Sequence, residues 1–98
     1  AAGTVYVMGK LEDRVEASVP KVQEATVGGL KDLNLPIHKN EGDKLSAQIE
    51  SKTADDKTIW IKVNFVTESL SELSIRVGLT GDEQRSREIL RAIKRHLS

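Results

Sequence analysis

The stretch TIWIKVNF, residues 58 to 65, places Ile59, Ile61, Val63 and Phe65 at every second position. Consecutive side chains of a strand point to opposite faces, so this alternation defines one apolar face and one polar face. The same odd parity recurs along the chain, in Leu45, Ala47 and Ile49 and again in Leu73, Ile75 and Val77. The opening segment TVYVMGKLEDRVEA repeats it with Val5, Val7, Leu11 and Val15, and predicts one long strand in which Gly9 is a bulge or bend. Leu35 and Ile37 form a short strand that Pro36 places at an edge or a strand start. NEGD at 40 to 43 and TADDKT at 53 to 58 supply turns between strands. Several half-apolar strands of one parity require a second layer to cover them.

Two segments with helical spacing supply that layer. Val19, Val22, Thr26, Gly29, Leu30 and Leu33 define a helix over residues 19 to 33, with Ser18 as N-cap and Pro20 in the first turn. Gly28-Gly29 inside this helix costs roughly 1 kcal/mol per glycine relative to alanine. Close approach of the helix to the sheet is the expected compensation. Ile89, Leu90, Ile93 and Leu97 define a second helix from residue 83 onward. The order is β-α-β-β-β-β-α, and 98 residues suit one domain spanning 1–98. The predicted fold is α+β, a two-layer sandwich with a largely antiparallel sheet and both helices packed on one face.

If odd residues face the helices, even residues line the open face of the sheet. Tyr6, Met8 and Lys10 fall there, with Trp60 and Lys62 on the central strand and Arg76 beside them. The chain has one Trp, one Tyr and one Phe, so two of three aromatics are assigned to the open face and only Phe65 to the core. Large aromatics normally carry much of a small core's burial, which makes this placement informative. Tyr6, Met8, Trp60, Lys62 and Arg76 therefore form the candidate contact surface for a peptide, a glycan, nucleic-acid bases or another subunit. The competing readings are ordinary cross-strand packing and coverage of this face by a curled first strand.

Composition removes several classes of chemistry. There is no cysteine, hence no disulfide, zinc–thiolate site or cysteine nucleophile. Fifteen basic and fifteen acidic residues cancel, which disfavours nucleic acid as a partner. His38 and His96 lack metal-binding spacing and read as solvated. Asp55-Asp56 and the pair Glu41 and Asp43 lie in turns without the twelve-residue pattern of a calcium loop. Ser18, Ser69 and Ser86 have no recognisable base or oxyanion motif beside them. The expectation is a non-enzyme with no catalytic residue, no metal and no cofactor.

Arg87, Arg91, Lys94 and Arg95 gather on one sector of the second helix, a pattern that can attract anionic lipid or nucleic acid. Acids at the helix start and cations at its end also complement the helix dipole, and Glu83 and Arg87 are an i,i+4 pair. The favoured reading is a solvated, well-capped face. No apolar run is long enough to span a membrane, and the start at Ala1-Ala2-Gly3 reads as a trimmed end that leaves location open.

The stretch VGLTGDEQRS, residues 77 to 86, puts Gly78 and Gly81 at a strand-to-helix junction. Phosphate loops sit at such junctions, but Asp82 and Glu83 occupy the place of a bound phosphate and no Gly-Lys-Ser/Thr follows. The stretch reads instead as a turn capped by Asp82 or by Thr80, with the glycines giving turn geometry or close backbone approach.

Taken together, AAGTVYVMGKLE, GGLKDLNLPI, WIKV and above all ELSIRVGLTGDEQRSREIL resemble a family of small bacterial proteins of unknown function, many of them described as lipoproteins. The resemblance covers nearly the whole chain. Asp56-Lys57 fits the family's turn before the fourth strand, although the usual glycine-containing turn is absent. The resemblance implies location more than activity: a precursor with a lipid-anchored cysteine upstream of the module, on the periplasmic side of a bacterial membrane. It transfers no catalytic or binding residue. The resulting expectation is a non-enzymatic envelope module with an interaction or structural role, binding a protein partner or self-associating. The alternative is a small-ligand or anion-binding domain that uses the open sheet face.

Overall fold

The computed structural model describes residues 3–97, so the segment Ala1-Ala2 that opens the sequence lies outside the described residues. Six strands form one antiparallel sheet: β1 (Val5–Val7), β2 (Lys10–Val15), β3 (Ile37–Gly42), β4 (Ser46–Lys52), β5 (Thr58–Thr67) and β6 (Leu70–Val77). Their spatial order is β1-β2-β6-β5-β4-β3. Helix α1 (Val19–Asp32) connects β2 to β3, and α2 (Glu83–Arg95) follows β6. Both helices pack on one face of the sheet and against each other. The α+β two-layer fold and the predicted element order hold.

Odd-numbered side chains of four strands build the core, as the alternation requires. Leu11, Ile49, Ile59, Ile61, Leu73 and Ile75 are fully buried beneath Val22, Leu30 and Ile93 of the helices. Full burial of each such side chain stabilises the fold by about 1.5–3 kcal/mol.

The first strand differs from expectation. The chain does not run on through Gly9 but reverses there, because Met8 and Gly9 both take positive φ, 53° and 82°. Two consecutive left-handed residues make the two-residue hairpin turn whose twist matches antiparallel strands. This turn pairs Tyr6 with Leu11 and Val7 with Lys10. Each even residue of β1 is thus opposite an odd residue of β2, and directly opposite residues share a face. The parity of β1 is inverted: Tyr6 turns toward the core cluster, while Val5 and Val7 are half exposed.

Two apolar assignments near one end of the sheet are also corrected. Phe65 is 42% exposed rather than buried, since it lies where the β5–β6 ladder loses register before Thr67. Leu45 lies in the β3–β4 turn rather than in a strand and is exposed. The turn itself falls later than NEGD: β3 runs through Gly42, and the Asp43 carboxylate accepts from the N–H groups of Leu45 and Ser46. Those two donors hold its pKa below the ordinary aspartate value.

The glycine pair serves helix–helix packing, not approach to the sheet. A Cβ on Gly29 would lie 2.8 Å from the backbone nitrogen of Ile93, so only glycine lets α1 and α2 meet there. Gly28 faces the ring of His96, and His96 Nε2 sits 2.7 Å from Asp32 Oδ2. His96 is exposed, as its spacing predicts, and it also joins the helix–helix junction through Asp32. Ser18 caps α1 by accepting from Lys21 N–H, and Asp82 caps α2 by accepting from Arg85 N–H. The expected Glu83–Arg87 pair forms at 2.9 Å.

Asp13 breaks the apolar parity of β2. Its side chain is 1% exposed, yet it faces the helix layer. Oδ1 accepts from the Thr4 hydroxyl at 3.0 Å, and Oδ2 lies 2.8 Å from Lys94 Nζ on α2. Oδ2 has no well-aligned hydrogen-bond donor, so charge attraction is what meets it. A buried carboxylate is costly unless paired, which makes this ion pair a pin between the two layers.

Candidate functional site

The face opposite the helices carries cross-strand rows of side chains. In one row Arg76, Trp60, Glu50 and Lys39 follow one another across β6, β5, β4 and β3. The next row runs Glu12, Ser74, Lys62, Gln48 and Glu41 from β2 to β3. Of the five residues expected to form a contact surface, Trp60, Lys62 and Arg76 are thus brought together on this face. Tyr6 is not, because the hairpin turns it to the other side. Met8 sits at the tip of the β1–β2 turn, where its backbone carbonyl accepts from Arg76 while its side chain is exposed.

Around Trp60 the surface sinks into an open depression of about 470 Å³. Lys10, Lys62 and Arg76 line it together with Glu50 and Ser74, and Leu79 forms a wall. Trp60 itself is half buried, with Glu50 and Arg76 directly opposite it on the flanking strands. Its indole ring is one of the largest apolar surfaces the chain possesses, and here it lies outside the core.

Arg76 organises this corner. Its Nη1 donates to the Leu79 carbonyl at 2.9 Å and its Nη2 to the Met8 carbonyl at 3.0 Å. The guanidinium therefore ties the β1–β2 turn to the 78–81 loop. The glycines of that loop fit the same junction: a Cβ on Gly81 would lie 2.5 Å from Gly9 Cα, Gly9 O and Tyr6 Oη. Gly78 and Gly81 both have positive φ, 73° and 84°. VGLTGDEQRS is thus a capped turn in which Gly81 admits the neighbouring backbone of Gly9 and Gly78 supplies left-handed turn geometry, as the sequence predicts.

The same geometry leaves two large apolar side chains in water. Met8 is 86% exposed and Leu79 is 84% exposed. Neither stabilises the fold by burial, and Met8 holds its position at the cost of a left-handed backbone that a methionine disfavours. Leu79 and Lys10 belong to the depression although the expected surface omits them. A leucine between two turn glycines is the signal that marks Leu79; for Lys10 the signal is its even position beside the β1–β2 turn.

Charges around the depression are unevenly paired. Glu50, the acid in its lining, is 3.9 Å from Lys39. Among the described residues Lys10 and Lys62 form no ion pair, and Arg76 is bonded to carbonyls rather than to a carboxylate. The depression is therefore locally cationic in a chain of zero formal net charge.

Elsewhere the side chains suit structure. Ser86 is buried with no hydrogen-bond partner for its hydroxyl, and Ser71 donates to the Ala17 carbonyl. Among the described residues no group of three or more His, Asp or Glu side chains could hold a metal ion. No described helix is long and apolar enough to cross a membrane. A model of the family described as "Protein of unknown function (DUF3568)" matches residues 1–96. No curated protein matches the chain.

Proposed function

Since the chain belongs over residues 1–96 to that family of unknown function, we propose that it is a non-enzymatic interaction module of the bacterial cell envelope that docks a protein partner on its open sheet face. The observation that carries the reading is the placement of Trp60. A half-buried tryptophan floors a depression on the face that neither helix covers, with exposed Leu79 as its wall. Aromatic and arginine side chains at the centre of a surface are the residues that most often dominate protein–protein affinity.

The envelope setting is supported by the resemblance to small bacterial lipoproteins, whose precursors carry a lipid-anchored cysteine ahead of a module of this kind. An interaction role is further supported by the serine and histidine geometry. Ser18 and Ser71 are engaged in capping and interlayer hydrogen bonds, and His96 faces Asp32 and Gly28 rather than a nucleophile.

Fractionation and native sizing of the full-length protein from its own cells test this proposal. The expected result is recovery with the envelope in a complex larger than the chain, released by Trp60→Ala. A cytosolic protein, or a free monomer unaffected by that substitution, contradicts it.

A further inference from the structure

We infer that the Trp60 depression takes an extended acidic polypeptide segment carrying one large apolar side chain. The inference rests on the docking role proposed for the open face and names the class of partner.

Three observations select that class. The first is charge: Lys10, Lys62 and Arg76 line the depression without carboxylate partners, while Glu50 is engaged by Lys39. Complementary negative charge on the partner would meet these cations and be steered toward them. The second is the floor, where the Trp60 ring and Leu79 give an apolar seat for a large side chain. The third is the state of the arginine. Recognition of a compact oxyanion draws on the two-pronged fork of a guanidinium. Here Nη1 and Nη2 are already committed to the carbonyls of Leu79 and Met8. Two of its five N–H donors thus fix the guanidinium at this corner, where Arg76 adds positive field to the depression. A phosphate or small carboxylate leaves Trp60 and Leu79 unused, whereas a chain with several acidic groups and one apolar anchor uses every feature present. The trough also runs across four strands, β2, β6, β5 and β4, a span that suits a polypeptide segment.

The test is a titration of the isotope-labelled chain, followed by amide and indole NMR shifts. The probes are a glutamate-rich decapeptide with one central phenylalanine, its lysine-for-glutamate counterpart, its all-glutamate counterpart, and inorganic phosphate. The phenylalanine-bearing acidic peptide is expected to shift Trp60, Lys62, Ser74 and Leu79 saturably. Affinity should drop about tenfold in Lys62→Glu and again as salt shortens the Debye length. The other three probes should bind at least about tenfold more weakly, lacking either the charge or the anchor. Trp60→Ala should abolish the anchor's contribution. Should that variant lose its native spectrum, Lys62→Glu and Lys10→Glu decide the matter, since both positions are exposed.

Equal binding of the basic peptide at the same residues overturns the acidic class while leaving a docking face intact. Phosphate binding of equal strength there overturns it in favour of a small-anion site. Shifts at these residues that grow with protein concentration alone overturn it in favour of a second copy of the chain. Acidic-peptide shifts confined to the helix layer, or none, overturn both the class and the docking role of this face.

Discussion

The guanidinium of Arg76 donates to the carbonyl of Met8 at 3.0 Å, across 68 residues of sequence. With its second bond to Leu79, it holds two turns together from the open side of the sheet. Both acceptors are carbonyls that the hairpin and the loop would otherwise leave to water. Arg76→Lys retains the charge but cannot reproduce a planar two-pronged interaction. We expect Arg76→Lys to destabilise the domain by about 1 kcal/mol, the net contribution of one hydrogen bond. Amide exchange should quicken at Met8, Gly9 and residues 78 to 81 while β4 stays protected. Uniform loss of protection would contradict a local clamp.

Gly28 and Gly29 are neighbours in α1 with different consequences. A Cβ on Gly29 meets the backbone of Ala92 and Ile93 at 2.9 and 2.8 Å, which can be relieved only by moving a helix. Gly29→Ala should cost about 2–3 kcal/mol despite the better helix propensity of alanine. A Cβ on Gly28 meets the His96 ring, which can swing aside and separate from Asp32. Gly28→Ala should therefore lie within about 1 kcal/mol of the parent. Chemical denaturation of both variants gives the comparison, and equal costs would show that α1 and α2 do not rely on glycine for their close approach.

The Asp13–Lys94 ion pair joins a fully buried carboxylate to a half-exposed ammonium. Lys94→Ala leaves that carboxylate without its cation and should cost about 3 kcal/mol. The double variant Asp13→Leu with Lys94→Met removes charge from both sides and should recover most of the loss, because an apolar pair carries no desolvation penalty. Thermal unfolding of the two variants checks this. A double variant as unstable as Lys94→Ala would mean that shape rather than charge governs the site.

Asp55 accepts from Arg85 Nη1 at 2.8 Å, linking the β4–β5 turn to α2. This bond, with a second from the Thr53 hydroxyl, lowers the Asp55 pKa to about 2. A carboxylate depressed in the folded state stabilises the fold above its unfolded pKa, about 4 for aspartate, and loses that contribution as pH falls through the folded value. The stability gap between the parent and Asp55→Asn should therefore stay constant above about pH 4 and close on the way down to about pH 2. Added salt should narrow it too, since both groups are solvent-accessible. A gap that persists unchanged at pH 2 would contradict the ion-pair origin.

Much of this architecture is legible in the sequence because the alternation of β5 and β6 admits one register. Shifting Ile59, Ile61 and Val63 by one residue would put every apolar side chain in water. The hairpin at Met8-Gly9 is not legible, for a related reason. A two-residue turn between strands inverts parity, so the odd pattern of Val5 and Val7 looks continuous with Leu11 while belonging to the opposite face. The NG or DG signature that marks such turns is absent, since methionine stands where asparagine or aspartate is favoured. Parity alone places Trp60, Lys62 and Arg76 together. It cannot place Leu79 or reveal the state of the Arg76 fork, because both depend on residues far apart in sequence meeting in the fold. Asp13 likewise lacks a local signal: its cation arrives from the last turn of α2.

The central question is which face of this two-layer domain meets a partner. A photoreactive amino acid placed in the full-length protein in its own cells reports that meeting directly, at Lys62 on the open sheet face and at Arg91 on the outer face of α2. The prediction is a discrete crosslinked protein from position 62 and none from position 91, with the adduct at 62 abolished in Trp60→Ala. Crosslinking from position 91 alone would show that the helix layer is the docking surface and would contradict the role assigned to Trp60.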